Sequence, residues 1–141
     1  MSVYVSVKLQ RQVRASFANC CAYCKTAEKL SVAIFEFEHI IPRSEGGQTV
    51  FENLCLACPS CNRYKASRQT ATEPITGKIV SLFHPQFQVW EEHFAWNKDA
   101  SEIMGLTPVG CATVSALKMN RPQLIRLRQM WVKLGEHPPS F

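Results

Sequence analysis

The sequence predicts an α+β core clamped by a four-thiolate metal site, with a further α/β segment after it. Three observations carry that prediction. Two C-x-x-C pairs, Cys21/Cys24 and Cys58/Cys61, stand far enough apart to enclose other elements. Between them a run of strand formers, Ile34, Phe35 and Phe37, leads into Glu38-His39-Ile40-Ile41-Pro42 and a turn at Gly46-Gly47. The second pair opens a segment that reads as a helix from Pro59 to about Gln69, with proline tolerated in the first turn.

Composition sets the outer limits. The 141 residues suit one domain, or a small core with an extension. A 46% hydrophobic and 19% charged chain is an ordinary globular one, which excludes wholesale disorder. The formal net charge of +5 permits a nucleic-acid partner without demanding one. Met1 to Arg14 contains no apolar h-region, and no apolar run reaches the ~20 residues that span a bilayer. The expectation is a soluble, cytoplasmic protein. Its seven cysteines include six in two tight groups, which in a reducing compartment read as metal thiolates. A disulfide framework is the alternative, and it needs a secretory context that the sequence does not suggest.

Taken in order, residues 7–18 form an amphipathic helix that Ser6 can cap, with Leu9, Val13 and Phe17 on one face. Lys8, Arg11 and Arg14 lie off that stripe, as solvated charge or as phosphate contacts. Cys21-Ala22-Tyr23-Cys24 follows, and two thiolates at this spacing can turn back onto one zinc ion at about 2.3 Å. The register is ambiguous on both sides, because Cys20 could replace Cys21, and Cys55-x-x-Cys58 is also a pair. Leu54-Cys55-Leu56 reads as a short apolar strand, which makes Cys55 a buried thiol, and Cys20 reads as a helix-end residue. A strand over 33–38 and a second near Leu54–Ala57 would pair across the glycine-marked loop. The outcome is strand, loop, strand, helix.

The chemistry of the enclosed residues follows from their types. Hydrolysis of a phosphodiester needs a deprotonated water, and a histidine with an ordinary pKa of about 6.5 takes that proton near neutrality. The carboxylate of Glu38 beside that imidazole can hold a divalent ion, which would stabilise the charge on the phosphoryl group and the leaving oxygen. The unused nitrogen of His39 needs an acceptor, expected to be a backbone carbonyl of the loop that follows. Tyr23 is expected to pack within the knuckle.

Together, Cys21-x-x-Cys24, Glu38-His39-Ile40-Ile41-Pro42, Gly46-Gly47, Asn53-Leu54 and Cys58-x-x-Cys61-Asn62-x-x-Lys65 resemble the zinc-bearing HNH endonucleases. The resemblance covers roughly residues 7–70. It implies a ββα-metal (HNH) core, a four-cysteine structural zinc site, and cleavage of DNA with one Mg²⁺ or Mn²⁺ ion. It places His39 as general base, Glu38 and Asn62 as ligands of the catalytic ion, and Asn53 as the residue that ties the loop together. Cys21, Cys24, Cys58 and Cys61 take the zinc positions, and Lys65, Arg43 and Arg63 are the candidate DNA contacts. Two positions depart from the usual pattern, where Glu38 replaces Asp and Asn62 offers an amide oxygen rather than an imidazole nitrogen. The rival reading is a non-catalytic zinc-stabilised module that binds nucleic acid.

Beyond residue 70 the expectation is a C-terminal α/β extension over 71–141, packed on the core of 1–70. Thr70 to Pro74 reads as a break and Ile75 to Leu82 as a loop with a short strand. Phe87 to Trp96 reads as a strand containing a packed or surface His93, and Gly110 to Met119 as a helix. A last helix starts at Asn120-Arg121-Pro122, with Leu124, Leu127, Trp131 and Leu134 on one face. Lys118, Arg121, Arg126, Arg128 and Lys133 stand in a stretch without acids, which makes this helix a candidate for an added DNA contact.

Overall fold

The computed structural model describes residues 4–139. The chain divides into two compact units: Met1–Gln69 with His84–Phe87, and Thr70–Phe83 with Gln88–Phe141.

The first unit opens with helix α1 (Val7–Ser16), capped by Ser6, whose side chain accepts from Leu9 N at 3.2 Å. Val13 is fully buried, while Leu9 and Phe17 are half-buried. Arg14 is not a free surface cation. Its Nε and Nη2 each donate to Glu28 at 2.9 Å, and the guanidinium stacks 5.0 Å from the centre of the Phe37 ring. Strands β1 (Glu36–His39) and β2 (Leu54–Ala57) pair antiparallel, with Glu38 opposite Cys55 and His39 opposite Leu54. Every residue of β2 is buried, because α1 packs on this strand and β1 flanks it. That double cover explains the unbroken apolar run Leu54-Cys55-Leu56-Ala57. Helix α2 (Pro59–Lys65) starts with proline in its first turn and packs against β1. It is shorter than the sequence suggested, since Ala66 leaves the helix at φ 51°.

The loop from β1 to β2 carries two 3-10 turns, Arg43–Glu45 and Phe51–Asn53. Gly46 ends the first turn with φ +88°, where a side chain is disfavoured. At Gly47 a Cβ would lie 1.8 Å from the Ile41 carbonyl oxygen and 2.9 Å from Asn53 Nδ2, so no side chain fits. The Gly46-Gly47 pair therefore has one conformational and one steric cause.

Among the described residues, the second unit is built from two short hairpins and three helices. Strands β3 (Thr70–Thr72) and β4 (Ile79–Ser81) pair antiparallel across a turn at Glu73 and Gly77. The residues read as a break are thus in part a strand. Residues 87–96 also differ from the expected single strand. A short helix α3 (Trp90–His93) precedes β5 (Phe94–Trp96), which pairs with β6 (Ile103–Gly105). Helix α4 (Pro108–Ala116) packs on β6, β3 and β4. His93 is structural: its Nδ1 is 2.6 Å from Thr107 Oγ1, the cap of α4.

Helix α5 (Pro122–Lys133) closes this unit. Leu124 and Trp131 are buried, but Leu127 and Leu134 are exposed, and Arg128 occupies the buried face instead. Its Nη1 donates to Ser101 O and Asn120 Oδ1, its Nη2 donates to Met119 O, and its guanidinium lies 5.2 Å from the Trp96 ring centre. Arg128 is therefore unavailable as a DNA contact. No helix among the described residues is long and apolar enough to cross a membrane.

Candidate metal centre and adjoining polar site

Four sulfurs meet at the base of the first unit. Cys21, Cys24, Cys58 and Cys61 are all buried, and their Sγ atoms lie within 4.8 Å of one another. Cys24 Sγ and Cys58 Sγ are 3.8 Å apart. That is far beyond a disulfide at about 2.05 Å. It matches the edge, about 3.8 Å, of a tetrahedron with metal–sulfur distances of about 2.3 Å. Among the described residues, no other group of three or more His, Cys, Asp or Glu side chains converges in this way.

Local structure explains the convergence. Cys58 is the N-cap of α2 and accepts from Cys61 N at 3.4 Å, which puts both thiols of the second pair at one helix end. The first pair is turned by Lys25 N donating to Cys21 O and Cys21 N donating to Thr26 O. Thr26 Oγ1 also lies 3.2 Å from Cys24 Sγ. Hydrogen bonding from the neighbouring cysteines pushes the Cys24 thiol well below its ordinary pKa, whereas burial pushes Cys21 well above it. Four packed sulfurs cannot all ionise unaided, and a bound cation resolves that conflict. Cys20 stands outside the cluster, bridged to Ala27, and Cys55 is a buried thiol of β2.

Glu38 is the next buried ionisable group, at 5% exposure. Its Oε2 accepts from Tyr23 Oη at 2.8 Å, and the Cys55 thiol lies 3.4 Å away. Burial pushes the pKa of Glu38 up, and Lys65, Tyr23 and Cys55 pull it down. Lys65 Nζ forms a buried ion pair with Oε1 at 3.0 Å, and it donates to Ile40 O at 3.0 Å. Lys65 is therefore 1% exposed, with its ammonium committed inside the protein rather than offered to a phosphate. This corrects the expectation for Lys65. Arg43 and Arg63, the other two candidate contacts, are exposed.

His39 follows Glu38 at the last residue of β1, and the pleat sends consecutive side chains to opposite faces. Its Nε2 is 2.8 Å from Thr49 Oγ1, so the partner is a hydroxyl of the loop rather than the expected backbone carbonyl. Burial, and then the charge of Arg43, lower the pKa of His39 and favour the neutral ring.

Asn53 ties the loop together. Its Oδ1 accepts from Ile41 N at 2.8 Å, and its Nδ2 donates to Ile41 O at 3.1 Å and Gln48 O at 3.0 Å. Behind it, Gln86 Nε2 donates at 2.9 Å to the carbonyls of Phe51 and Leu54. Asn62 lies on α2 one turn before Lys65, and its Nδ2 donates to Glu36 Oε2 at 2.7 Å.

The structure thus gathers the four cysteines at one centre, and Glu38 with Lys65 and Tyr23 beside it. It pairs Asn62 with Glu36, not with Glu38. Glu36, Thr49, Gln86 and the hydroxyl of Tyr23 were missed from sequence. Glu36 alone carried a signal, standing two residues before Glu38 on the same strand face.

No curated protein and no solved structure matches the chain. A family model described as HNH endonuclease does match, over residues 21–68, which run from the first cysteine ligand past the end of α2. Across that segment, the polar site lies inside the loop that the cysteines close, and residues 21–68 are similar to the HNH endonuclease family.

Proposed function

We propose that the chain is a metal-dependent endonuclease that hydrolyses DNA phosphodiesters, with a ββα-metal core and with zinc at the four cysteines. The observation that carries this reading is the locked loop: Asn53 fixes Ile41 and Gln48, and Thr49 holds Nε2 of His39. In the base-competent tautomer Nε2–H donates to Thr49 Oγ1, which leaves the lone pair on Nδ1 for a proton from water. Burial and then the Arg43 charge lower the His39 pKa, which favours the neutral ring, the form a base requires.

The family implies a catalytic divalent ion on Glu38 and Asn62, which when bound would supply Lewis-acid stabilisation of the phosphoryl and leaving-group oxygens. A carboxylate with a neutral amide oxygen is a set that suits Mg²⁺ or Mn²⁺. In this structure the two side chains do not form that site, because Glu38 is buried with Oε1 3.0 Å from the Lys65 ammonium and Asn62 donates to Glu36. Arg43 and Arg63 are exposed cations that can meet the DNA backbone.

The deciding experiment is nicking of supercoiled plasmid with Mg²⁺ or Mn²⁺. His39→Ala is expected to lower the rate by about 10²- to 10⁴-fold, with zinc content and circular dichroism unchanged. Cleavage by His39→Ala at the parent rate would remove His39 as the base. The burial of Glu38 against Lys65 favours a second reading, a zinc-stabilised module that binds nucleic acid without cutting it. Metal-independent, salt-sensitive retention of DNA with no nicking is its signature.

A further inference from the structure

We propose that His84 and Phe87 form a stacking platform for one unpaired base of a nucleic-acid strand, set beside the polar site. The proposal rests on the nucleic-acid reading that the nuclease and the binding module share, and it names the substrate class as single-stranded or locally unpaired. A lone exposed apolar side chain is ordinary on a protein surface. Phe87 differs in how it is held. It is 73% exposed, yet its ring lies 4.3 Å from that of His84 at an interplanar angle of 12°. One face is therefore covered by a parallel ring, and the opposite face is left to solvent. His84 is fixed in turn, because its Nδ1 accepts from Gln86 N at 3.3 Å and from Phe87 N at 3.2 Å. Burial, and with it the charge of Lys65, lowers the pKa of His84, which favours a neutral, flat ring.

Position ties the platform to the site. His84–Phe87 belongs to the first unit, although it stands apart from the rest of that unit in sequence. Gln86 Nε2 donates to Phe51 O and Leu54 O at 2.9 Å, and Leu54 is the residue paired with His39 across the two strands. The segment thus docks at the end of the loop that Asn53 locks. The charge of Lys65 reaches His84, that of Arg43 reaches His39, and Arg43 is exposed. A cation for the backbone and an open aromatic face for a base are the two parts of a site for single strands. In a paired duplex each base is already stacked on its neighbours, so the platform can take one only after it leaves the stack. A ring held in place beforehand also avoids the ordering cost that a mobile side chain would carry.

The test uses the zinc-loaded full chain without further divalent ion, so that strands stay intact. The probes are a short single-stranded oligodeoxynucleotide with a fluorescent adenine analogue at each adenine, and the same sequence as a blunt duplex. The parent is expected to bind the single strand and to quench the analogue, as stacking on an aromatic ring does. Phe87→Ala is expected to weaken single-strand binding by about 5- to 150-fold, the range of one base–aromatic stack. It should also abolish quenching, with duplex binding and circular dichroism unchanged, whereas Phe87→Trp should keep both affinity and quenching. Binding of the duplex alone, parent-like behaviour of Phe87→Ala, or an equal loss on both probes overturns the platform and leaves the nucleic-acid reading standing. Should Phe87→Ala unfold, Phe87→Leu decides, because it keeps apolar bulk without an aromatic face. Parent-like binding and quenching by Phe87→Leu then rejects the platform, and loss of quenching supports it. A parent chain that retains neither probe at low salt overturns the platform and the nucleic-acid reading together.

Discussion

Single residues in this protein change their meaning once their neighbours are known. Arg14 reads in the sequence as one of three cations on a helix, and a phosphate contact is a fair expectation for it. In the fold it grips Glu28, whose carboxylate also accepts from Phe35 N at 2.8 Å. The Arg14 hydrogen bond, ahead of the Phe35 amide, holds Glu28 below the usual carboxylate range. A depressed folded-state pKa means stability that is complete above the ordinary value of about 4.3. It is lost as pH falls through the lower folded value. Glu28→Gln should therefore cost about 0.5–1 kcal/mol at pH 7, the range of a partly exposed pair. Urea unfolding across pH should show the gap between variant and parent closing in acid. A gap that stays constant would assign the loss to packing rather than charge.

Elements were legible where periodicity and turn chemistry agreed. The Ser6 cap, the apolar run 54–57 and the proline starts of α2 and α5 all lie where the sequence put them. Of the short strands of the second unit, Ile79–Ser81 and Phe94–Trp96 fall inside segments that read as strand, whereas Thr70–Thr72 and Ile103–Gly105 span three residues each and give too little alternation to read. Helix α5 misled for a different reason. Hydropathy places Arg128 outside, but its guanidinium is fully buried against the carbonyls of Ser101 and Met119. Among the site residues, the two C-x-x-C pairs marked the thiolate cluster but left its register open to Cys20 and Cys55, which the fold excludes from it, and Asn53 was visible through its motif. The hydroxyl of Tyr23 and the hydrogen bonds of Gln86 depend on distant segments and leave no local pattern. Arg128→Ala should leave those carbonyls without their donor and cost roughly 3 kcal/mol. Thermal denaturation checks this, and a melting point near that of the parent would show that the arginine contributes little to the second unit.

For the molecule as a whole, the cysteine site closes the chain on itself. Cys24 and Cys58 are 34 positions apart, and Glu38, His39 and Asn53 all lie within the span they close. Cys58→Ser should therefore lose the metal and unfold the first unit, since a structural ion contributes folding free energy directly. Metal analysis with circular dichroism reads both, and a folded, metal-free variant would refute the role. The same closure bears on how nuclease assays with this chain are interpreted. A chelator such as EDTA competes for every divalent ion present, so lost cleavage in EDTA does not distinguish removal of a reaction ion from collapse of the scaffold. Order of addition separates the two. Chelated protein that regains activity with Mg²⁺ alone has kept its knuckle, whereas protein that needs Zn²⁺ first has lost the frame on which the chemistry stands.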